Sequence, residues 1–376
     1  MNFGFSEEQE LLRKTARDFL TEHAPMQRVR EVMEGDLTCD AELWSAMAEL
    51  GWMGLALPEE YGGADLGMVE LCVVLEELGR TLAAVPFLPT VIAASAILAA
   101  GDAAQRSEWL SKLASGELRA TFAITEEAGS DAPAAIGLAA KRSDAGWSLT
   151  GCKLFVPDLA DADVVLVVAR TGREGESGLG LFVVSTGTAG LRVEPMKSMD
   201  LLRPLYEISF NGVELPGSSL LSGAEDAWPC IERILDRARV MICAEMLGGA
   251  ERCLEDSVAY AKERVQFGKP IGVNQAIKHK CADMLFGVES SRSITYYAAW
   301  AANEDNDEAP MTASMAKAFV SDAYRAVAAE NIQIHGGVGF TWEYDCHLFF
   351  KRAKGSEVWL GDGSQHRERV ARLLEI

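Results

Sequence analysis

The hydrophobic period of this 376-residue chain changes twice, and that limits its folds more than any other feature. Up to about residue 118, apolar side chains recur at helical spacing. Leu11, Leu12, Ala16, Phe19 and Leu20 make one stripe; Leu43, Met47, Leu50 and Met53 make another. "MVELCVVLEELGR" continues the pattern with Gly79 placed to end its helix, and "LPEEYGGADLG" is a loop. From about 119 to 225 the runs become short and rich in Val, Phe, Thr and Leu, as in "RATFAIT", "ADVVLVVAR" and "YEISFNGVEL". The "SDAG" between two of them predicts a hairpin turn. From about 226 helical spacing returns, with Ile231, Ile234, Leu235, Ala238, Met241 and Ile242 on one stripe. Consecutive all-α, all-β and all-α blocks exclude an alternating βαβ sheet. The expectation is a multi-domain α+β chain with domains at 1–118, 119–225 and 226–376.

Charge and motif content narrow the function. A net charge of -21 argues against nucleic acid or an anionic membrane surface as partner, because phosphate recognition needs clustered Lys and Arg. The N-terminus is acidic and amphipathic, unlike a signal peptide. No run of about 18 apolar residues occurs, and "AAVPFLPTVIAASAILAA" reads as a buried helix interrupted by prolines. The 8 cysteines include no C-x-x-C pair, and the 5 histidines form no H-E-x-x-H. Reduced buried thiols, a cytoplasmic location and no metal site follow as expectations. No nucleophile elbow, phosphate-binding loop or G-x-G-x-x-G turn is present.

The third block carries an interruption. "CLEDSVAYAKER" and "NQAIKHKCADM" both have helical spacing, and "FGKPIG" separates them, with Arg264 before and Gln275 after. The break is either an ordinary helix-hairpin turn or a device that sets an Arg, a Phe and a Gln around a planar anion. On the residues alone, a surface arginine, a core phenylalanine and a capping glutamine are the favoured reading, since such residues usually serve packing.

Four motifs in order resemble those of the acyl-CoA dehydrogenase family, and the likeness runs from end to end. "ITEEAGSDA" resembles its T-E-P-G-A-G-S-D loop, one residue shorter, and "LTGCKLFV" resembles its G-x-K-x-W-I-T strand. "YAKERVQFGKPIGVNQ" resembles Y-x-x-x-R-x-x-F-G-K followed by a Gln, and "QIHGGVGF" resembles Q-I-x-G-G-x-G-[FY]. The resemblance implies an N-terminal helical domain, a β-barrel-like central domain and a C-terminal four-helix bundle. It also implies FAD as cofactor. Arg264 would pair with the pyrophosphate of a neighbouring subunit's FAD, a role suited to a guanidinium fork. Phe267 would pack on the cofactor, Gln275 would bond its adenosine side, and Gln333, Gly336 and Gly337 would hold its adenine end. Thr125 and Ser130 would donate to flavin and pyrophosphate, and Phe155 would cover the ring system where the family has Trp. Pro157 stands where the family has a Thr that bonds the flavin, so that contact must come from elsewhere.

The family converts an acyl-CoA to its α,β-enoyl form, which needs a carboxylate to take the α-proton. Counted from "KRAK", the usual Glu falls on Leu360; the alternative Glu, before Arg239, falls on Ala238. Asp362, flanked by glycines, is a displaced candidate for the base, and Glu245 is a more remote one. Leu360 keeps a backbone N–H able to polarise the thioester carbonyl, and Arg239 is a candidate substrate residue. Three readings stay open. The chain acts alone through Asp362; or it is one subunit beside a paralogous acyl-CoA dehydrogenase subunit that carries the Glu; or it is a flavin monooxygenase or oxidase, or a non-catalytic FAD-binding subunit, on the same scaffold. The resemblance further implies an acyl-CoA substrate, an electron-transfer flavoprotein or similar acceptor, and a homodimer, homotetramer or hetero-oligomer. The start "MNFGFSEEQELL" and end "LLEI" differ from the membrane-bound, extended members.

Overall fold

The computed structural model describes residues 4–35, 37–172, 178–221 and 227–376. The expected boundary at 225/226 lies at a position outside the described residues. Helices come first: α1 (Glu7–His23), α2 (Met26–Glu34), α3 (Ala41–Glu49), α4 (Met68–Thr81), α5 (Phe87–Ala100) and α6 (Ala103–Ala114). Strands β1 (Ala120–Ala123), β2 (Ala139–Ser143), β3 (Gly146–Pro157), β4 (Val164–Arg170), β5 (Leu179–Ser185), β6 (Leu191–Met196) and β7 (Leu205–Pro216) follow. The remainder is α7 (Trp228–Glu263), β8 (Val265–Gln266), β9 (Lys269–Pro270), α8 (Gln275–Asn303), α9 (Ala309–His335), α10 (Cys346–Val358) and α11 (Gly363–Leu373). The α, β, α order is the one that the periodicity predicts. No helix among the described residues is long and apolar enough to cross a membrane.

Local chemistry sets several helix starts. Ser6 with Gln9 and Asp102 with Gln105 form reciprocal capping boxes at α1 and α6, each satisfying backbone donors that the first helical turn leaves free. Pro86 precedes α5, which is buried on all sides from Phe87 to Ile97 except at Ser95, the pattern of an interior helix.

The chain divides into two compact units, Met1–Glu31 with Met68–Ala83 and Asp236–Ile376, and Val32–Gly67 with Ala84–Leu235. In the first, α4 and α7 touch at backbone level. A Cβ on Gly79 would overlap the Glu245 carbonyl, and one on Gly248 would overlap the Glu76 carbonyl. Gly79 therefore does not end its helix, which continues to Thr81. It is there because two helices meet, a contact that spacing within one segment does not reveal. Buried charges fasten the same region. Arg17 pairs with Glu77 at 2.7 Å, Arg292 with Glu76 and with Glu251 at 2.8 Å, and the Tyr296 hydroxyl donates to Glu76 at 2.5 Å.

In the second unit, seven strands form one mixed sheet in the order β1-β4-β2-β3-β7-β6, with β5 paired to β4. β1 runs parallel to β4, whereas β3–β7, β6–β7 and β4–β5 are antiparallel. β2 and β3 pair as an antiparallel hairpin with Ser143 opposite Gly146, so Asp144–Ala145 is its two-residue turn. β4 is buried along nearly its whole length, which accounts for its unbroken "VVLVVA". Trp147, Leu149, Val165, Val167, Phe182, Phe210 and Leu215 fill the core on the sheet.

Candidate active site

The helix interruption is a β-hairpin. β8 and β9 pair with Gln266 opposite Lys269, so Phe267 and Gly268 are the turn residues. Their φ angles are 52° and 75°; positive φ at both central positions is the type I′ pattern, which favours Asn-Gly. A phenylalanine there is strained, and its ring is fully exposed. Phe267 is thus no core residue of this chain. Arg264 is exposed, and its guanidinium has no acceptor among the described residues. Gln275 opens α8 but does not cap it, since Asn274 holds the cap position.

Gln333, Gly336 and Gly337 lie at the end of α9, all exposed. Gly336 closes the helix with φ 69° and ψ -147°, a region essentially confined to glycine and distinct from a left-handed cap. A Cβ at Gly336 or Gly337 would meet nothing within 4 Å, so both backbones face open space. One contact ties this turn to the hairpin. Tyr260, one helical turn before Arg264, stacks on His335 with ring centroids 4.1 Å apart, and its hydroxyl donates to the His335 carbonyl at 3.4 Å.

The β segment presents the other expected residues. Register shifts in β3 between Lys153 and Val156 mark a bulge, and Phe155 sits in it with φ 57°. The bulge re-aims a side chain: Phe155 is half exposed while Lys153 is fully buried. Lys153 Nζ donates to the Ile124 carbonyl at 2.9 Å and to Glu126 at 2.7 Å. Glu126 in turn accepts from the Gly137 and Leu138 N–H groups, which fixes the start of the 124–131 loop. In that loop the Thr125 hydroxyl donates to Asp131 at 2.8 Å, and the Ser130 hydroxyl accepts from the Ala132 N–H.

The two expected base positions come together. Ala238 is buried on α7, and the Nε of its neighbour Arg239 donates to the Leu360 carbonyl at 3.4 Å. Arg239 also pairs with Asp236 at 2.8 Å, and Arg369 joins the same carboxylate. Leu360 is buried with φ 59°. Its N–H has no acceptor among the described residues. Asp362 occupies the N-cap of α11, where its carboxylate accepts from the Gln365 N–H at 2.8 Å and Gln365 answers in a capping box. Glu245 is buried against Arg352 at 3.3 Å.

Three family models match in chain order: the acyl-CoA dehydrogenase N-terminal domain over residues 6–117, the middle domain over 121–213, and the C-terminal domain over 226–375. The chain belongs to the acyl-CoA dehydrogenase family. It is 35% identical over 371 residues to acyl-CoA dehydrogenase IpdE2 of Mycolicibacterium smegmatis, covering 98% of each chain. The butyryl-CoA dehydrogenase structure from Megasphaera elsdenii superposes with a TM-score of 0.94 at 29% identity, covering 100% of both chains. The ChsE4–ChsE5 complex from Mycobacterium tuberculosis has a chain that superposes with a TM-score of 0.91 at 28% identity, covering 100% of this chain and 99% of that one.

Acyl-CoA dehydrogenases are FAD-dependent oxidoreductases, and so is this chain. The residues present fit that cofactor. Gly336 and Gly337 leave room that any Cβ would fill, a guanidinium without an acceptor among the described residues stands at Arg264, and a strained, exposed ring stands at Phe267. Two residues that the motifs do not mark reach the backbone around Leu360. Lys317 is fully buried on α9, and His366 is buried on α11 with Nε2 2.8 Å from the Leu360 carbonyl. A lone Lys on the "ASMAKAFV" stripe is the sequence signal for the first; nothing local marks the second.

Proposed function

We propose that this chain binds FAD and a CoA thioester and polarises the thioester carbonyl, while the carboxylate that takes the α-proton belongs to an unlike acyl-CoA dehydrogenase subunit. The observation that carries this reading is Leu360. Its side chain is apolar and buried where the family resemblance expects the base, and its backbone N–H is left without an acceptor among the described residues. Ala238 is equally unable to accept a proton, and the Asp362 carboxylate is engaged in the α11 cap.

In the assembly, Arg264, Phe267, Gln275, Gln333, Gly336 and Gly337 hold FAD at a subunit boundary, and Thr125, Ser130 and Phe155 serve its flavin end. FAD, when bound, supplies the acceptor for the hydride that leaves Cβ. The Leu360 N–H, fixed before the substrate arrives, faces the charge that builds on the thioester oxygen as the α-proton departs. Arg239 holds the Leu360 carbonyl and so acts on the substrate through the backbone. Domains at 1–118, 119–225 and 226–376, a cytoplasmic setting and an electron-transfer flavoprotein or similar acceptor complete the reading. The name of the ChsE4–ChsE5 complex supports pairing of unlike subunits.

The test is to purify the chain alone, record its flavin content, and titrate a panel of acyl-CoA thioesters with and without a dye acceptor. The expected result is flavin-loaded protein whose absorption shifts on thioester binding, with turnover appearing only after co-expression with a subunit that carries the Glu. Turnover by the chain alone that is lost in Asp362→Asn would overturn the proposal in favour of a displaced base. Asn is a good N-cap, so that variant removes the carboxylate without removing the cap.

A further inference from the structure

We propose that Lys317 and His366 are positioning residues that clamp the backbone on both sides of Leu360 and so hold its N–H free for the thioester carbonyl. This rests on the reading of Leu360 given above. Lys317 Nζ lies 2.9 Å from the Glu357 carbonyl, 3.1 Å from that of Ser356, 2.9 Å from that of Gly361 and 3.0 Å from the Ser321 hydroxyl. Ser356 and Glu357 belong to the last turn of α10. The ammonium thus caps a helix C-terminus from inside the protein, where carbonyl oxygens lack partners and the helix dipole favours a cation. By reaching Gly361 as well, it closes the turn that leaves α10 and enters α11.

His366 holds the centre of that turn. The Leu360 carbonyl can only accept, so the Nε2 at 2.8 Å carries a proton. Burial and the Arg239 charge push the His366 pKa down to about 3, which keeps the imidazole neutral with that proton on Nε2. Burial lowers Lys317 to about 8, so it remains a cation at neutral pH. Between these holds, Leu360 sits at φ 59°, a conformation that strains any residue with a Cβ. A relaxed turn would bring the 359–361 backbone to ordinary angles. The clamp holds it in the strained form, which leaves the N–H of buried Leu360 without an acceptor among the described residues. Neither residue touches the reacting atoms; both act through the loop.

Hydrogen–deuterium exchange and isotope-edited infrared spectroscopy of FAD-loaded protein test this, comparing wild type with Lys317→Met and His366→Phe. Bonds to a charged donor are the stronger kind, so amides at 358–361 are expected to exchange about tenfold or more faster in Lys317→Met. The carbonyl stretch of a ¹³C-labelled acyl-CoA, lowered on binding to wild type, should return towards its free value while flavin content is kept. A purely structural lysine would not move that carbonyl band. Unchanged exchange at 358–361, or a carbonyl shift that survives in Lys317→Met, would overturn the clamp. If the wild type itself shows no carbonyl shift, the donor role of Leu360 falls, and the exchange rates alone decide on the clamp. If Lys317→Met does not fold, His366→Phe decides: faster exchange centred on 359–361 supports the clamp and unaltered rates refute it.

Discussion

A Cβ built at Gly79 would overlap the Glu245 carbonyl, whereas one built at Gly337 meets nothing within 4 Å. The two positions therefore respond oppositely to alanine. Gly79→Ala forces α4 and α7 apart and should cost about 1–3 kcal/mol in denaturant unfolding, as overpacking does. Gly337→Ala should leave unfolding of the flavin-free chain within about 0.5 kcal/mol of wild type, as for a surface change, yet lower the flavin content of purified protein. Full flavin retention in Gly337→Ala would remove that glycine from the cofactor cradle. The sequence marks Gly337 through its motif but misplaces Gly79 at a helix end. Helical spacing cannot separate a terminating glycine from one at a crossing, because the deciding atom belongs to a distant helix.

At the scale of elements, the hairpin at 265–270 sets stability against binding. Asn-Gly suits its turn better than Phe-Gly does. Phe267→Asn should raise the stability of the flavin-free chain, by up to about 1 kcal/mol from the relieved left-handed strain, and weaken flavin retention. A variant that keeps its flavin as tightly as wild type would show that the exposed ring serves something else. The break itself is legible in "FGKPIG", but strands of 2 residues each are too short to show a period. The long helices and the apolar β4 are legible because burial writes its period directly into the residues. The bulge at Phe155 and the turn at Leu360 are not, since both depend on backbone angles that neighbouring elements impose.

Across the whole molecule, buried titratable groups set the pH range of stability. Burial raises the thiols of Cys39, Cys243 and Cys346 to about 12, and raises Cys72 and Cys253 as well. Unfolding lets them ionise near their ordinary pKa, so their contribution is full below about pH 8.5 and falls as pH rises, by ~1.4 kcal/mol per unit for each fully buried group. Lys153 and Lys317, lowered to about 8, act in the opposite sense between about pH 8 and 10. Five thiols outweigh two ammoniums, so the melting temperature should fall steeply above about pH 8.5, and Cys243→Ala should flatten that fall. On the acid side, His366 is neutral when folded, with its pKa lowered to about 3. Its contribution is full above about pH 6.5 and is lost progressively below. A melting temperature that is flat from pH 8.5 to 10 would contradict the burial of the thiols. The most direct measurement mixes FAD-loaded protein anaerobically with an acyl-CoA thioester and follows the flavin absorption band, wild type alone beside Leu360→Glu. If the chain binds and polarises the thioester but has no proton acceptor of its own, the wild-type band shifts without bleaching, and the band bleaches once a carboxylate stands at position 360. Rapid bleaching by the wild type alone, or none in folded, flavin-loaded Leu360→Glu, would contradict it.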